Sequence, residues 1–320
     1  MNTSYILIVL GEPYSVFSEI IGKYLKKKKK FKKKLIIIGN HELLIKQLKK
    51  LNYNFPINNI SNYKDAKKNK INIINIQFNH NKIFDKISTK SNQYIRNCFK
   101  KSLEIIKNKK DKFILINGPI SKKTFLKRKY SGITEYLSQK TSSTNEVMLI
   151  YNEKFSVSPI TTHIPIKNVA NNINIQKIQK KVIRLNNFYK NVLKKNATIA
   201  VLGLNPHCET IDKFSEEDKI ISPAIKYLKN SGIKIFGPFS SDTFFVKKNI
   251  NKYDLVIGMY HDQVLTPIKT IFNFEAINIT IGLPFIRISP DHGPNSDMLG
   301  KNVSDPSSFI YAMKFAEKIK

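Results

Sequence analysis

The chain has 320 residues, 41% of them hydrophobic, which is enough to bury one large core or two smaller ones. Its apolar stretches fall short of the roughly 20 residues that a membrane-spanning helix needs, so we expect no membrane association. The net charge of +32 would suit nucleic-acid binding. However, the lysines are spread along the chain without a nucleic-acid-binding motif, so we expect no specific nucleic-acid partner.

Short apolar runs alternate with longer amphipathic segments, which predicts an α/β protein with largely parallel sheets. Ser215 is the expected N-cap of one helix, and Glu216 and Glu217 add negative charge to its first turn. Segments 122–132 and 282–284 are candidate hinges between domains. The expected strands span residues 5–10, 35–38, 71–76, 113–116, 147–151, 198–202, 233–236, 255–259 and 277–281. The expected helices span residues 92–107, 175–193, 216–230 and 306–319.

The first ten residues contain no basic segment ahead of their apolar run, so they predict a strand rather than a signal peptide. The two cysteines, Cys98 and Cys208, lie far apart in the sequence and form no metal-type pair. Both features favour a reducing, cytoplasmic setting.

Three histidines each follow an apolar, strand-like run. They are His163 in Thr-Thr-His-Ile-Pro, His207 in Gly-Leu-Asn-Pro-His and His261 in Met-Tyr-His-Asp-Gln. Ligands bind at the carboxyl ends of strands in open α/β sheets, so the three rings could converge on a divalent metal. Neutral imidazoles suit zinc or cobalt, and a mixed site could accept magnesium or manganese. For each histidine taken alone, a hydrogen bond to a backbone carbonyl in the core is the competing interpretation.

Acidic side chains stand near these histidines in the sequence. Asp262 follows His261 directly, and Asp242 ends the segment Gly-Pro-Phe-Ser-Ser-Asp. Either aspartate could orient a metal-binding ring or exchange a proton with the substrate. Asp242 could instead open a helix as its N-cap.

A polar set and a polar loop follow towards the end of the chain. Lys269, Asn278 and Arg287 stand in an apolar stretch that predicts strand–turn–strand, and they suit a phosphate or carboxylate partner. An ordinary ion pair is the alternative for the two cations. The loop 289–301 offers donors that could hold an adenosine group, although a solvent loop would have the same spacing.

In this order, the motifs resemble the 4-hydroxythreonine-4-phosphate dehydrogenase family of pyridoxal phosphate synthesis, from about residue 113 to residue 300. Besides the three histidine motifs, the matching segments are 117–122, 132–136, 237–243 and 282–287. The resemblance implies two α/β/α domains around a central cleft, as in isocitrate and isopropylmalate dehydrogenases. It assigns residues 1–125 and 285–320 to the cofactor side, and residues 126–284 to the metal and substrate side. It also implies a homodimer.

The implied reaction is NAD- or NADP-dependent oxidation and decarboxylation of 4-phosphohydroxy-L-threonine to 3-amino-2-oxopropyl phosphate. A divalent metal (zinc, magnesium or cobalt) would assist it. The resemblance implies these site residues: His163, His207 and His261 for the metal; Asp291, His292, Gly293 and Asp297 for the cofactor; Thr134, Lys269, Asn278 and Arg287 for the substrate; and Asp242 or Asp262 as the base.

Three departures from the family pattern bear on the substrate and on activity. Ile133 replaces the histidine of the family's Gly-His-Thr-Glu, and isoleucine cannot donate a hydrogen bond to a phosphate. The N-terminal segment 11–19 has bulkier residues at two of the family's glycines, and Pro294-Asn295 replaces Thr-Ala. A related hydroxy acid as substrate, or a non-catalytic homologue that binds nucleic acid through its lysines, therefore stays an alternative.

Overall fold

The computed structural model describes residues 4–28, 30–108, 110–126, 130, 132–144, 146–208 and 215–319. The strands are β1 (Ser4–Val9), β2 (Lys34–Gly39), β3 (Ile57–Asn59), β4 (Ile71–Asn75), β5 (Lys112–Asn117), β6 (Val147–Tyr151), β7 (Ser156–Pro159), β8 (Ile199–Leu202), β9 (Ile235–Phe239), β10 (Leu255–Gly258), β11 (Ile277–Ile281) and β12 (Ile286–Ser289). The helices are α1 (Phe17–Lys27), α2 (His41–Lys50), α3 (Asn92–Ile106), α4 (Ile133–Lys140), α5 (Ile175–Phe188), α6 (Ser222–Asn230), α7 (Ser241–Phe244), α8 (Lys247–Ile250), α9 (His261–Phe272) and α10 (Ser307–Lys318). Across these described ranges, every helix is too short or too polar to cross a membrane.

The chain divides into two compact units, and the first comprises Met1–Ser143 and Leu283–Lys320. Its sheet has the strand order β3-β4-β2-β1-β5-β12, and every neighbouring pair is parallel. The central strand β1 is almost continuously apolar, as expected for a parallel strand covered on both faces. The parallel β/α arrangement confirms the α/β class predicted from the alternating sequence pattern.

The division between the units falls after residue 143 rather than after residue 125, because α4 belongs to the core of the first unit. Tyr136 and Leu137 of α4 are buried in the same cluster as Leu7 and Phe99. At its other end, the second unit stops at Gly282, within the segment 282–284 that the sequence suggested as a hinge.

The second unit, Thr144–Gly282, contains a mixed sheet with the order β11-β6-β7-β10-β8-β9. The pairs β11–β6 and β6–β7 are antiparallel, whereas β7, β10, β8 and β9 run parallel to one another. The carboxyl ends of these four strands therefore meet at one edge of the sheet. Adjacent strands lie about 4.8 Å apart, so residues that follow neighbouring strands are brought close together.

The prediction of strand–turn–strand around Lys269 is wrong, because Lys269 lies in helix α9. The buried residues Val264, Leu265, Ile268 and Phe272 of this helix follow a helical spacing. Pro267 falls inside the helix and weakened that signal in the sequence, since proline removes a backbone donor and is rare in helix interiors.

Candidate active site

The three candidate metal ligands follow three adjacent parallel strands of the second unit. His163 comes four residues after β7, His207 five residues after β8, and His261 opens α9 directly beyond β10. Because β10 lies between β7 and β8, the fold delivers all three histidines to the same edge of the sheet. Asp242, which follows β9, reaches this edge from the next strand along.

The side chains form two pairs at this edge. The rings of His163 and His261 have centroids 5.7 Å apart, and Nδ1 of His207 lies 3.5 Å from Oδ2 of Asp242. Among the residues that the structure describes, no group of three or more His, Cys, Asp or Glu side chains is arranged to hold a metal ion. One chain therefore brings His163 and His261 together but does not gather all three imidazoles into a metal site.

Two of the three histidines have unusual backbone conformations. His163 has φ of 49° and His207 has φ of 57°, which is the left-handed region that non-glycine residues rarely adopt. Such conformations cost about 1–3 kcal/mol and cluster at functional sites. This observation favours a functional role for both residues over a purely structural one.

The two aspartates differ in what they contact. Oδ1 of Asp262 lies 2.7 Å from Nδ1 of His261, so this carboxylate orients the ring and leaves Nε2 to face a ligand. Asp242 accepts a hydrogen bond from the Ser240 hydroxyl, which together with the nearby His207 lowers the pKa of Asp242. The lowered pKa makes Asp242 a weaker proton acceptor. Its position beside His207 still places it at the candidate site.

An open cavity of about 290 Å³ lies at the same edge of the second unit. Its lining includes His207 and Asp242, together with Tyr260 and Gln263. The segment after β8 forms another part of its wall, and a buried carboxylate holds that segment. Glu217 accepts hydrogen bonds from the backbone N–H groups of Leu204 and Asn205, at 2.7 and 2.9 Å.

The first unit contains a buried arginine that the sequence singled out. Arg287 on β12 is 1% exposed, and its Nε donates to Oδ1 of Asn117 at 2.8 Å. Its Nη1 donates to Oγ1 of Thr134 at 2.9 Å, so two of the predicted substrate residues contact each other. Burial lowers the pKa of Arg287 to about 10, while Glu135 opposes the shift. The guanidinium group remains charged at neutral pH.

The other two predicted substrate residues lie in the second unit. Asn278 on β11 is half-buried, and its Oδ1 is buried with no hydrogen-bond partner in the described part of the chain. Such an orphaned acceptor suits a ligand with a donor group. Lys269 is exposed on α9, two helical turns beyond His261.

The candidate cofactor loop belongs to the first unit. The backbone N–H of Asp291 donates to Oγ of Ser308 at 2.6 Å, which ties the start of the loop to α10. Burial lowers the pKa of His292, and its Nε2 is buried with no hydrogen-bond partner among the described residues. Gly293 and Asp297 are exposed. The loop therefore contains both a buried ring nitrogen and exposed polar groups.

Sequence reasoning missed three polar residues that contact these groups or their segments, namely Asn117, Glu217 and Gln263, and one further buried carboxyl group, that of Glu12. Glu12 shows why: it is 1% exposed and accepts a hydrogen bond from Ser91 at 3.0 Å, a residue 79 positions away. Burial raises the pKa of Glu12 to about 7, against the opposing effect of that hydrogen bond. A contact between such distant residues leaves no signal in local spacing.

Comparison with solved structures identifies the fold class of the protein. A putative 4-hydroxythreonine-4-phosphate dehydrogenase from Salmonella typhimurium superimposes with a TM-score of 0.86 at 28% identity, covering 99% of each chain. An isocitrate dehydrogenase from Methylococcus capsulatus has a TM-score of 0.50 at 8% identity, covering 98% of this chain and 84% of that one, and shares only the fold. The fold is thus that of the isocitrate dehydrogenase class, as the sequence resemblance implied.

Sequence comparison identifies the family of the chain. Residues 31–316 match the family described as pyridoxal phosphate biosynthetic protein PdxA, and the chain belongs to it. A 4-hydroxythreonine-4-phosphate dehydrogenase from Sulfurihydrogenibium sp. is 37% identical over 98% of this chain and 97% of its own length. A D-threonate 4-phosphate dehydrogenase from Salmonella typhimurium is 28% identical over the whole of both chains. The relatives are dehydrogenases, which points to a nicotinamide cofactor in general.

Proposed function

We propose that this protein is a 4-hydroxythreonine-4-phosphate dehydrogenase. It would oxidise the C3 hydroxyl of 4-phosphohydroxy-L-threonine and release the carboxyl group as carbon dioxide, giving 3-amino-2-oxopropyl phosphate. Membership of the PdxA family over most of the chain carries the proposal. Full-length similarity to a relative with this activity in its name supports it.

Arg287 is the residue that binds an anionic group of the substrate in this proposal. Its Nε and Nη1 are held by Asn117 and Thr134, so the guanidinium is oriented before the substrate arrives. A pre-oriented, desolvated cation binds a phosphate or carboxylate more strongly than a solvated one. In the second unit, Lys269 and Asn278 are the other two proposed substrate residues, and the orphaned Oδ1 of Asn278 suits a donor group of the substrate.

The proton of the reacting hydroxyl passes to a carboxylate of the second unit. Asp262 and Asp242 are both candidates, and Asp262 also orients His261. When bound, a divalent metal would lower the pKa of the substrate hydroxyl, and NAD or NADP would accept the hydride. The cofactor would lie at Asp291, His292, Gly293 and Asp297.

The metal ligands are His163, His207 and His261, and we propose that a homodimer completes their set. A single chain brings only His163 and His261 side by side, while the side chain of His207 is 71% exposed. Ile166, close to His163, is 74% exposed, and exposed apolar residues beside a polar site suit a protein contact. A cytoplasmic location is part of this proposal, in keeping with the small number of cysteines in the sequence.

A second candidate function is the dehydrogenation of D-threonate 4-phosphate, which carries a C2 hydroxyl where the first substrate carries an amino group. A full-length relative bears that name. Ile133 does not separate the two candidates, because both substrates carry the phosphate group that the family histidine would contact, and Ile133 packs against the core instead.

The test is an assay of NADH and NADPH formation with the purified protein, supplied in turn with zinc, magnesium and cobalt. We expect the highest kcat/KM with 4-phosphohydroxy-L-threonine and detection of 3-amino-2-oxopropyl phosphate by mass spectrometry. A higher kcat/KM with D-threonate 4-phosphate would select the second function. Equal rates with and without the phosphate group would contradict both.

A further inference from the structure

Gln263, in the first turn of α9, connects three separate segments of the second unit. Its Oε1 accepts a hydrogen bond from the backbone N–H of Met259 at 2.6 Å. Its Nε2 donates to the carbonyl oxygen of Gly203 and to Oγ of Ser241, both at 2.7 Å. The residue is 7% exposed, so these bonds are shielded from water.

The three segments are those that carry the ionisable groups of the candidate site. Met259 is two residues before His261, Gly203 is four residues before His207, and Ser241 is next to Asp242. Gln263 also lines the cavity of about 290 Å³ together with His207 and Asp242. One side-chain amide therefore connects the segments that follow β10, β8 and β9.

The chemistry of these contacts requires a primary amide of this length. A primary amide has two N–H donors and a carbonyl acceptor in one plane, and all three are used here. A glutamate keeps the acceptor but has no donor for the Gly203 carbonyl when ionised. The space is also tight, since a Cβ added at Gly258 would lie 2.9 Å from Oε1 of Gln263.

We infer that Gln263 is a positioning residue for the candidate active site, which it holds in register through these three hydrogen bonds. It acts through the segments of His261, His207 and Asp242, without itself touching the reacting atoms. Its effect on catalysis rests on the proposed function, whereas its effect on the three segments does not.

The first test measures backbone hydrogen exchange in Gln263→Met, which keeps the side-chain length but removes all three hydrogen bonds. We expect faster exchange in 203–208, 240–244 and 259–262 together. The matched control is Gln47→Met in the first unit, where the Gln47 amide donates to the carbonyls of Pro13 and Ile83. Exchange of the three segments should not change in that control. Unchanged exchange in Gln263→Met, or a change confined to one segment, would overturn the inference.

The second test separates kcat from KM. Misplacing reacting groups by about 1 Å can cost a factor of about 100, so we expect kcat of Gln263→Met to fall about 10- to 100-fold. KM for the nicotinamide cofactor should stay within about twofold, because its proposed loop lies in the other unit. An equal loss of kcat in Gln47→Met would identify a general loss of stability and overturn the positioning role.

Gln263→Glu keeps the bond from Met259 and covers the case in which Gln263→Met does not fold. It should loosen 203–208 while 259–262 stays protected, with a smaller loss of kcat than in Gln263→Met. Protection of 203–208 equal to that of the wild type would contradict the inference. Failure of the proposed function would show differently: the wild type would not reduce NAD or NADP with either phosphorylated substrate, while the exchange data would still decide the role of Gln263.

Discussion

Glu12 shows how one buried carboxyl group makes stability depend on pH. Burial raises its pKa in the folded state to about 7, against 4.5 for an exposed glutamate. Below pH 4.5 the group is protonated in both the folded and the unfolded state. As the pH rises towards 7, the Glu12 carboxyl group ionises first in the unfolded state, so its contribution to the free energy of unfolding falls. The full decrease between pH 4.5 and pH 7 is about 3 kcal/mol.

We therefore expect Glu12→Gln to remove this part of the pH dependence. The free energy of unfolding, measured by urea denaturation, should rise relative to wild type by up to about 3 kcal/mol between pH 4.5 and pH 8. The amide keeps an acceptor for the hydroxyl of Ser91, so the local contact survives. A difference between the two proteins that stays constant over this pH range would contradict the assigned pKa shift.

Ile133 is the residue at which this chain departs most clearly from its family motif. It is the first residue of α4, half-buried against the core of the first unit, and it precedes Thr134, which contacts Arg287. Histidine at this position would add a donor beside a buried cation that already suits an anion. A hydrogen bond to a charged group contributes about 1.5–3 kcal/mol.

Ile133→His should therefore lower KM for the phosphorylated substrate about tenfold. Ile133→Val is the matched control, because it changes the packing without adding a donor. Steady-state kinetics on both variants would check the prediction. If both variants had the same KM, Ile133 would not lie at a phosphate contact in this protein.

Among the secondary-structure elements, the strands rich in isoleucine were predictable with approximate bounds, whereas the more polar strands were not. The predicted strand 147–151 has the bounds of β6, because its apolar run coincides with a strand whose side chains are mostly buried. The sequence indicated no bounds for β3, β7 or β12, whose polar residues, such as Arg287 in β12, interrupt the apolar pattern. It indicated β7 only as the run before His163, and β12 only as the last part of a strand–turn–strand pattern. Their pairing with neighbouring strands overrides their weak local preference.

Motifs in the sequence suggested the candidate site residues, but they did not give the arrangement of the side chains. Motifs identified His163, His207 and His261, and the parallel order of β7, β10 and β8 explains why they meet at one edge. The pairing of His207 with Asp242 depends on the neighbouring position of β8 and β9, which local sequence does not encode.

Glu217, near the start of a helix, also makes contacts that local sequence does not encode. The sequence predicted a helix over 216–230 with Ser215 as its N-cap. In the structure a π-helical segment, Glu217–Ile221, precedes α6, and Oγ of Ser215 accepts from the backbone N–H of Asp218 at 3.2 Å. The acidic first turn was assigned to the helix dipole, whereas the carboxylate of Glu217 also holds the segment of His207. Burial opposes its ionisation, but hydrogen bonds from Asn205 and Leu204 keep the pKa of Glu217 below its usual value.

Glu217→Ala should destabilise the protein, because it leaves two backbone donors without an acceptor. The expected loss is about 2–4 kcal/mol in the free energy of unfolding, measured by urea denaturation. Glu216→Ala is the matched control. Among the described residues, Glu216 accepts from the side chain of Asn205 alone, so its loss should cost about 1 kcal/mol or less. Equal losses in the two variants would show that the hydrogen bonds from the backbone to Glu217 add nothing to the free energy of unfolding beyond what the Glu216 contact adds.

At the scale of the whole molecule, the positive charge and the active site are separate properties. The buried charges that matter for chemistry are few and specifically bonded, as Arg287 is with Asn117 and Thr134. Lysines such as Lys26 and Lys27 lie exposed at the end of α1, where cations suit the helix dipole. The dehydrogenase assignment does not depend on the lysine excess, and the absence of a specific nucleic-acid partner stays a prediction from the sequence.

Completion of the metal site by a homodimer can be tested by mixing two inactive variants. His207→Ala and His261→Ala should each lose metal retention and turnover while keeping the fold, measured by elemental analysis, NADH formation and circular dichroism. If each site draws these two ligands from different subunits, a mixed dimer carries one doubly damaged site and one intact site. Unfolding and refolding the two together should then restore about a quarter of wild-type activity, since half of the dimers are mixed. Refolding either variant alone is the control. A refolded mixture that forms dimers but stays as inactive as its components would show that one chain supplies both ligands.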